Sequence, residues 1–353
     1  MNETGRGWIL EGGFPVGRGQ AYKHAGMDKS CGLAAGDLEQ YHTQGFIAFK
    51  PCSLVTGQLD AAARFTLHLA GKVARSLKPI MPKLGDGYHF PELGITRSWI
   101  QDGFMNAWKE SQAVHEIAIN EEVRRAIAQL HGGRVAWPIQ TKNWLIGSMT
   151  PAHADIIFYD TLPRRGLLVG TWVALEDINA SAGPLLMWPA SHKASLWDME
   201  AIGLAQNASK SKTGGDTAND TAAYPYARSG PLRSAYTRYA TSLHRKLQSS
   251  NLPPPVPMLI CKGTMLVWAA NTIHGGANVT DFTRTRHSIT THYLLEGFEK
   301  VWNPLSSVGA SKLVASAAVV IPHTQTPLAK PLTASDGKVP ERILAAHWRK
   351  RTY

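Results

Sequence analysis

Six short apolar runs, separated by turn residues, occupy the middle of this chain between residues 135 and 296. They read VAWPIQTKNWLIGSM, HADIIFYD, LLVGTWVALED, GPLLMWPAS, GTMLVWAANTIHGG and RHSITTHYLLE. Short apolar or alternating runs with turns between them predict strands. Because predicted helices precede these runs, the order indicates a mainly β fold with flanking helices, a sandwich or barrel with the helices packed on one side.

The helices are predicted from apolar spacing and end signals. The segment from Leu33 to Phe46 has loose helical spacing and a stop at Gly45, and FIAFKP after it predicts a short strand. Residues 56–77, with Thr56 as N-cap, predict a helix that ends in basic residues suited to its dipole. A further helix is predicted over about 108–130, closed by two glycines.

We expect three parts in the chain. Residues 1–32 predict an N-terminal arm, 33–300 a single domain, and 301–353 a C-terminal extension that packs on the core. The domain carries an inserted segment at about 195–257 in which the strand signal fades. This segment is either a lid that orders over an anionic substrate or a surface insertion, and it interleaves tyrosines with arginines: Tyr224, Tyr226, Arg228, Arg233, Tyr236, Arg238 and Tyr239.

Composition narrows the class of protein. The net charge is +11, but the basic residues are scattered and no nucleic-acid-binding motif is present, so we expect no nucleic-acid partner. No run is long and apolar enough to span a bilayer, and no signal pattern stands at the N-terminus. We therefore expect a cytoplasmic protein that does not bind a membrane. The three cysteines are widely spaced and predict neither a zinc finger nor a disulfide framework.

His153 and Asp155 head the run HADIIFYD and are the first candidate metal ligands. In a strand, residues two apart point to the same side, so an imidazole and a carboxylate could share one ion. His274, at the far end of the strand that starts after Gly263, supplies a third ligand. Two histidines and one carboxylate form the facial triad of non-haem Fe(II) enzymes. Zinc would also fit, but catalytic zinc would then need a general base, and none stands out.

If the co-substrate is 2-oxoglutarate, its distal carboxylate needs a buried cation. A guanidinium suits this purpose because it is always charged and binds carboxylates with two hydrogen bonds. Arg284 and Arg286 both follow His274, and both are expected to face the same side of the next strand. Ser288 has the same parity as Arg286, so the two could hold one carboxylate together; Arg286 is the first choice and Arg284 the second.

In this order the motifs resemble the phytanoyl-CoA dioxygenase family of Fe(II)/2-oxoglutarate-dependent oxygenases. The resemblance rests on His-x-Asp, on GTWVALEDINASAGPLLMWPASHK, on His274 and on Arg-x-Ser-Ile, and it spans about 33–300. It implies a double-stranded β-helix, that is, a jelly-roll or cupin-like core, with His153, Asp155 and His274 as iron ligands and Arg286 as the anchor of 2-oxoglutarate. It also implies a set of pocket residues in the strands around the motif: Trp172, Lys142, Trp144 and Ser148.

The implied activity is a dioxygenase that uses Fe(2+), 2-oxoglutarate and O2 to hydroxylate or otherwise oxidise an unactivated C–H bond of a small molecule, releasing succinate and CO2. Asp155 favours hydroxylation over halogenation, because related iron halogenases have a small residue there. Arg164, Arg165 and the inserted segment favour an anionic substrate: a carboxylate, a phosphonate or a carrier thioester. The alternative is a non-catalytic jelly-roll protein that binds a small molecule and has a vestigial metal site. The sequence does not indicate an oligomeric state.

Overall fold

The computed structural model of the protein describes residues 32–77, 89–90, 95–96, 103–194, 196, 231–302 and 321–322. In these ranges the helices are α1 (Asp37–Gln44), α2 (Thr56–Leu77), α3 (Gln112–Ala118), α4 (Glu121–Leu130) and α5 (Pro231–Gln248). The strands are β1 (Phe46–Phe49), β2 (His89–Phe90), β3 (Ile95–Thr96), β4 (Phe104–Met105), β5 (Ala136–Trp144), β6 (Asp160–Leu162), β7 (Leu168–Ala174), β8 (Leu185–Met187), β9 (Val256–Pro257), β10 (Met265–Ala269), β11 (His274–Gly276), β12 (Ser288–Leu295) and β13 (Lys300–Trp302). Within the described part of the chain, no helix is long and apolar enough to cross a membrane.

Two antiparallel sheets form the core of the domain. The larger has the strand order β1-β10-β7-β12-β5-β4 and the smaller the order β11-β8-β9. An apolar cluster joins them, with Trp172, Leu266 and Trp268 from the larger sheet against Leu185 and Met187 from the smaller one. The strands therefore form the double-stranded β-helix that was predicted, with its interior between the two sheets.

The larger sheet has two faces with different roles. Side chains paired across its register point to the same side, so one face carries Trp144, Trp172, Trp268 and their partners toward the smaller sheet. We call this side the inner face. The outer face, which includes Val173, Val267, Ile289 and Tyr293, packs in the main hydrophobic core with residues of α2, α3 and α4. Helices thus cover the outer face, as the order of elements predicted.

The predicted helices are confirmed in part. Residues 56–77 form one helix, and α1 ends at Gly45, whose positive φ of 88° suits a glycine. The single helix predicted over 108–130 is wrong, because it is divided into a short 3₁₀ turn, α3 and α4. The side chains of Ser111 and Asn120 accept hydrogen bonds from Val114 N and Val123 N, so each starts a new helix.

The second half of the segment at 195–257 belongs to the core. Its helix α5 buries Tyr239, Leu243 and Leu247 in the main hydrophobic cluster. Residues 197–230, which include Tyr224, Tyr226 and Arg228, lie outside the described residues.

The described parts of the two termini contact the domain. In the C-terminal extension, Ile321 is buried in the main cluster and its N–H donates to Pro138 O. The predicted N-terminal arm lies outside the described residues except for Gly32, which pairs with Lys50. Cys52 is disulfide-bonded, which corrects the expectation from cysteine spacing.

Candidate metal centre

The segment HADIIFYD is not the strand that its apolar residues predicted. His153 forms an isolated antiparallel bridge with His274, with N–O distances of 2.8 and 2.9 Å, and Asp155 begins a 3₁₀ helix that ends at Ile157. Phe158 N donates to Asp155 O at 2.9 Å, and Ile156 N donates to Ala270 O at 3.0 Å. A long-range backbone contact and a tight turn therefore replace the strand pairing.

The three predicted ligands nevertheless converge. Asp155 Oδ1 lies 3.8 Å from His153 Nε2 and 3.6 Å from His274 Nε2. One donor atom from each of the three residues lies within 4.8 Å of the others, and all three residues are largely buried. Two imidazole nitrogens and one carboxylate oxygen in this arrangement fit a divalent transition metal.

The tautomers of both histidines suit metal binding. His153 Nδ1 lies 2.8 Å from Pro151 O, and His274 Nδ1 lies 3.1 Å from Thr272 O. A carbonyl oxygen only accepts, so each Nδ1 carries the proton and each Nε2 has a free lone pair. Backbone partners of this kind fix the orientation of metal-binding histidines.

The protonation states also suit metal binding. Burial lowers the pKa of His153 to about 3, with a further contribution from the neighbouring His274 imidazole, so its own imidazole is neutral near pH 7. Burial alone would raise the pKa of the Asp155 carboxyl, but its electrostatic interactions with the His274 and His292 imidazoles outweigh burial and lower that pKa. A neutral imidazole and an ionised carboxylate are the forms that bind metals.

Asp155 Oδ2 has two partners that the sequence did not indicate. Trp268 Nε1 donates to it at 2.8 Å, and His292 Nε2 lies 3.2 Å from it. Its sequence position does not favour His292 as a partner of Asp155, because His292 lies far along its strand from the turn before β12. The missing information was the position of the 3₁₀ turn, which brings Asp155 to the middle of that strand.

Glycines allow the backbone to come close at this centre. A Cβ on Gly276 would lie 2.8 Å from Met149 N, and one on Gly275 would lie 3.0 Å from Thr150 O. The sequence His-Gly-Gly therefore lets β11 pack directly against residues 149–152, just ahead of His153.

Arg286 and Arg284 do not share a face. Arg286 is 2% exposed, donates from Nη1 to Gly183 O at 3.0 Å, and has its guanidinium carbon 5.8 Å from the Trp144 ring and 5.6 Å from the Trp172 ring. Arg284 is exposed and forms an ion pair with Asp281 at 3.0 Å. Of the two arginines, Arg286 has the burial and the aromatic surroundings of an anion pocket.

The other predicted pocket residues lie mostly on the inner face near Arg286. Ser288 is buried and pairs in register with Trp144, while Lys142 holds its ammonium 4.2 Å from the Trp144 ring. Trp172 is buried, and among the described residues its Nε1 has no hydrogen-bond partner. Ser148 lies beyond the end of β5, where its hydroxyl accepts from Thr150.

Helix α5 lies beside the three converging residues. The Tyr236 ring is 6.3 Å from the His153 ring and 5.5 Å from the Phe158 ring. One turn later, the Tyr239 hydroxyl accepts from Ala154 N at 3.1 Å. The helix therefore buttresses the 3₁₀ turn and places an aromatic wall next to His153.

Comparison with known proteins identifies one family. The family model described as phytanoyl-CoA dioxygenase (PhyH) matches residues 100–286, just over half of the chain. The range includes His153, Asp155, His274 and Arg286, and it ends before His292. No curated protein sequence matches the chain.

Several solved structures resemble the fold at low identity. The non-heme alpha-ketoglutarate-dependent carbocyclase SnoK from nogalamycin biosynthesis is 15% identical, with a TM-score of 0.46 over 77% of this chain and 87% of its own. The non-heme monooxygenase ThoJ in its nickel complex is 14% identical, with a TM-score of 0.44 over 86% and 87%. EctD from S. alaskensis is 14% identical, with a TM-score of 0.43 over 75% and 78%.

Proposed function

The chain belongs to the phytanoyl-CoA dioxygenase family of Fe(II)- and 2-oxoglutarate-dependent oxygenases, and from this premise we propose that it oxidises an unactivated C–H bond of a small molecule. The observation that carries the proposal is the convergence of two Nε2 atoms on Asp155 Oδ1 in a buried site. Hydroxylation is the reaction that we assign, because a carboxylate occupies the position at which halide-using relatives need a small residue.

His153, Asp155 and His274 hold the iron in this proposal. The donor set supports Fe(II), since mixed imidazole and carboxylate ligation with open positions is typical of non-haem iron oxygenases. Both Nδ1 atoms are already bonded to backbone carbonyls, so the ligand atoms are oriented before the metal arrives. Together with 2-oxoglutarate and O2, bound iron supplies the oxidising chemistry, and the co-substrate leaves as succinate and CO2.

Arg286 binds the distal carboxylate of 2-oxoglutarate, and Arg284 does not. The support is burial: a guanidinium that is 2% exposed and flanked by two indole rings binds a carboxylate in a site that excludes water, which strengthens the ion pair. Ser288 adds a hydroxyl, and Trp172 offers an Nε1 donor that has no partner in the described part of the chain. Trp144 borders the same guanidinium, and Lys142 lies against the Trp144 ring.

The substrate lies on the side of His153 that faces Phe158 and Tyr236. Their rings, 6.0 and 6.3 Å from that imidazole, form an apolar wall that holds the C–H bond near the metal and keeps water away. An anionic group on the substrate fits Lys142, whose charge lowers the pKa of His153 together with burial. Arg165 is less suited to this role, because it pairs with the buried Asp160.

A titration of the purified apo-protein tests the function. Fe(II) and then 2-oxoglutarate are added without oxygen, and the visible charge-transfer band of the chelate is followed; succinate is then measured in air with small carboxylates and phosphonates. We expect a band that His274→Ala abolishes, and succinate formation that a substrate accelerates. Iron binding without the band would overturn the co-substrate assignment, and no iron binding would favour the non-catalytic binding protein.

A further inference from the structure

We propose that His292 and Trp268 are positioning residues that hold Asp155 in a one-oxygen binding mode, an inference that rests on the proposed role of Asp155 as an iron ligand. Both ring nitrogens approach the same carboxylate oxygen, Oδ2, at 3.2 and 2.8 Å. The other oxygen, Oδ1, faces the two histidine Nε2 atoms. In this arrangement Oδ2 contacts the protein, and Oδ1 is the oxygen that would bind the metal.

A single row across the larger sheet presents both positioning residues. Trp268 on β10 and His292 on β12 both pair with Gly170 of β7, so the three residues stand side by side on the inner face. A Cβ on Gly170 would lie 2.2 Å from the indole of Trp268. The glycine thus leaves the space over which the indole lies, and the two rings reach Asp155 from either side of it.

A local irregularity lies next to His292. The pairing of β12 with β5 shifts register between His292 and Tyr293, which leaves one extra residue on β5. Irregularities of this type change the direction of neighbouring side chains and are frequent beside active sites. On the other side, the Tyr159 ring lies 6.4 Å from the imidazole. The His292 ring is therefore confined in a position that faces Asp155.

The function of this arrangement is to keep coordination positions open. A carboxylate with both oxygens available can bind a metal through both and occupy two positions. With Trp268 Nε1 donating to Oδ2 and the His292 imidazole 3.2 Å from the same oxygen, an iron ion would be held through Oδ1 alone, which would leave more of its positions open to the co-substrates. Loss of a donor should therefore weaken iron binding and also change the chelate, whereas a residue that only fills space would affect neither.

The experiment compares four variants with the wild-type protein in anaerobic Fe(II) titrations. His292→Leu and Trp268→Phe each remove a donor, and we expect iron affinity to fall by roughly 10- to 100-fold, with a shifted or weaker 2-oxoglutarate charge-transfer band. His292→Gln keeps a donor near the Nε2 position, and we expect it to recover most of the affinity. His115→Leu removes a buried imidazole that contacts Pro322 O away from the centre, and we expect wild-type affinity and an unchanged band.

The outcomes separate this inference from the proposed function. If the wild-type protein binds iron and gives the band but both donor variants match it, the positioning role is overturned and the oxygenase assignment stands. If His292→Gln loses as much affinity as His292→Leu, hydrogen bonding is not the cause and the inference also fails. If the wild-type protein binds no iron, the proposed function and the inference fall together. Melting curves of each apo-protein confirm that the compared variants are folded.

Discussion

Asp155 and Asp160 lie five residues apart at the two ends of one turn, and both are buried, but their partners come from different parts of the chain. Asp160 is bonded by Thr161 N at 2.8 Å, Gly166 N at 3.0 Å and Arg165 Nε at 2.5 Å. All of these partners lie within six residues of it. Asp155 is instead surrounded by Trp268, His274 and His292, each more than a hundred residues away, and by His153.

The difference separates a structural carboxylate from the carboxylate that we propose as an iron ligand. Both oxygens of Asp160 are used by its own loop, so its charge is neutralised where it stands and the turn is fixed. Asp155 Oδ2 accepts from Trp268 Nε1 and has the His292 imidazole 3.2 Å away, while Oδ1 faces two imidazole nitrogens that offer lone pairs. Facing lone pairs repel one another until a cation lies between them. An incomplete set of partners, gathered from distant strands, therefore indicates the metal site.

The largest expected effect comes from removing the ligand. Asp155→Ala should weaken Fe(II) binding by more than about a hundredfold, since even outer partners of metal ligands contribute 10- to 100-fold, and substrate oxidation should be lost. Iron should also raise the melting temperature of the wild-type protein but not of this variant, because a metal stabilises only a folded protein that binds it. Isothermal titration and thermal melts with and without Fe(II) measure both effects. Full oxidation activity in Asp155→Ala would mean that the ligand is misassigned.

A second large effect is expected at Arg286, which, unlike Arg165, does not pair with Asp160. Arg286→Met should weaken 2-oxoglutarate binding by roughly a hundredfold, about 3 kcal/mol, because a buried carboxylate would lose its charged partner. Iron binding without 2-oxoglutarate should stay at the wild-type level. Arg284→Met is the matched control, and the exposed position of Arg284 predicts no change. Equal losses in both variants, followed through the charge-transfer band, would contradict the assignment of Arg286.

The sequence predicted the composition of the centre better than its conformation. Spacing, residue type and the family resemblance together predicted His153, Asp155 and His274, and the fold brings these three residues together. The strand predicted for HADIIFYD was wrong because apolar residues suit a buried 3₁₀ turn as well as a buried strand, and a contact with Ala270 O decides between them. His292 could not be chosen, because its approach to Asp155 depends on strand register and on that turn.

The same reasoning explains why the structural role of Asp160 could not be predicted from the sequence. Its partners are mostly backbone N–H groups, which every sequence supplies, so no residue pattern distinguishes it from an exposed acid. Arg165, its one charged partner, favours an anionic substrate in the sequence alone but pairs with Asp160 in the structure. Hydrogen bonds to the backbone are visible only once the loop has been placed.

A smaller effect, on stability rather than binding, is expected at the structural carboxylate. Asp160→Asn should destabilise the protein by about 2–3 kcal/mol, because it leaves Arg165 and two backbone donors with a neutral partner in a buried site. This is less than the full effect of a buried ion pair, since the Arg165 side chain is 39% exposed. Urea unfolding measures the change. Iron affinity of the folded variant should be unaffected, and a loss of affinity as large as that of Asp155→Ala would remove the distinction between the two carboxylates.

The contrast between structural and ligand residues extends to the histidines. Burial lowers the pKa of both His153 and His131, to about 3 and about 4. His131 Nε2 has a permanent partner, because it is hydrogen-bonded to the Tyr41 hydroxyl at 2.8 Å. His153 Nε2 instead faces Asp155 Oδ1 across the candidate metal position. Burial therefore keeps both imidazoles neutral. The nitrogen of His131 is used in a structural hydrogen bond, whereas that of His153 faces the candidate metal position.

The smallest expected effect is the acid sensitivity that His131 gives to the fold. Below its ordinary pKa of about 6.5, His131 takes up a proton in the unfolded chain but not in the folded protein until the pH approaches 4. The folded state therefore loses stability as the pH falls through this window, by about 1 kcal/mol at pH 5.5 relative to neutral pH. His131→Gln keeps a hydrogen-bonding group for Tyr41 and cannot be protonated, so the difference in unfolding free energy between pH 7.5 and 5.5 should shrink by that amount. An unchanged difference, measured by urea unfolding at both pH values, would mean that His131 is not held neutral by burial.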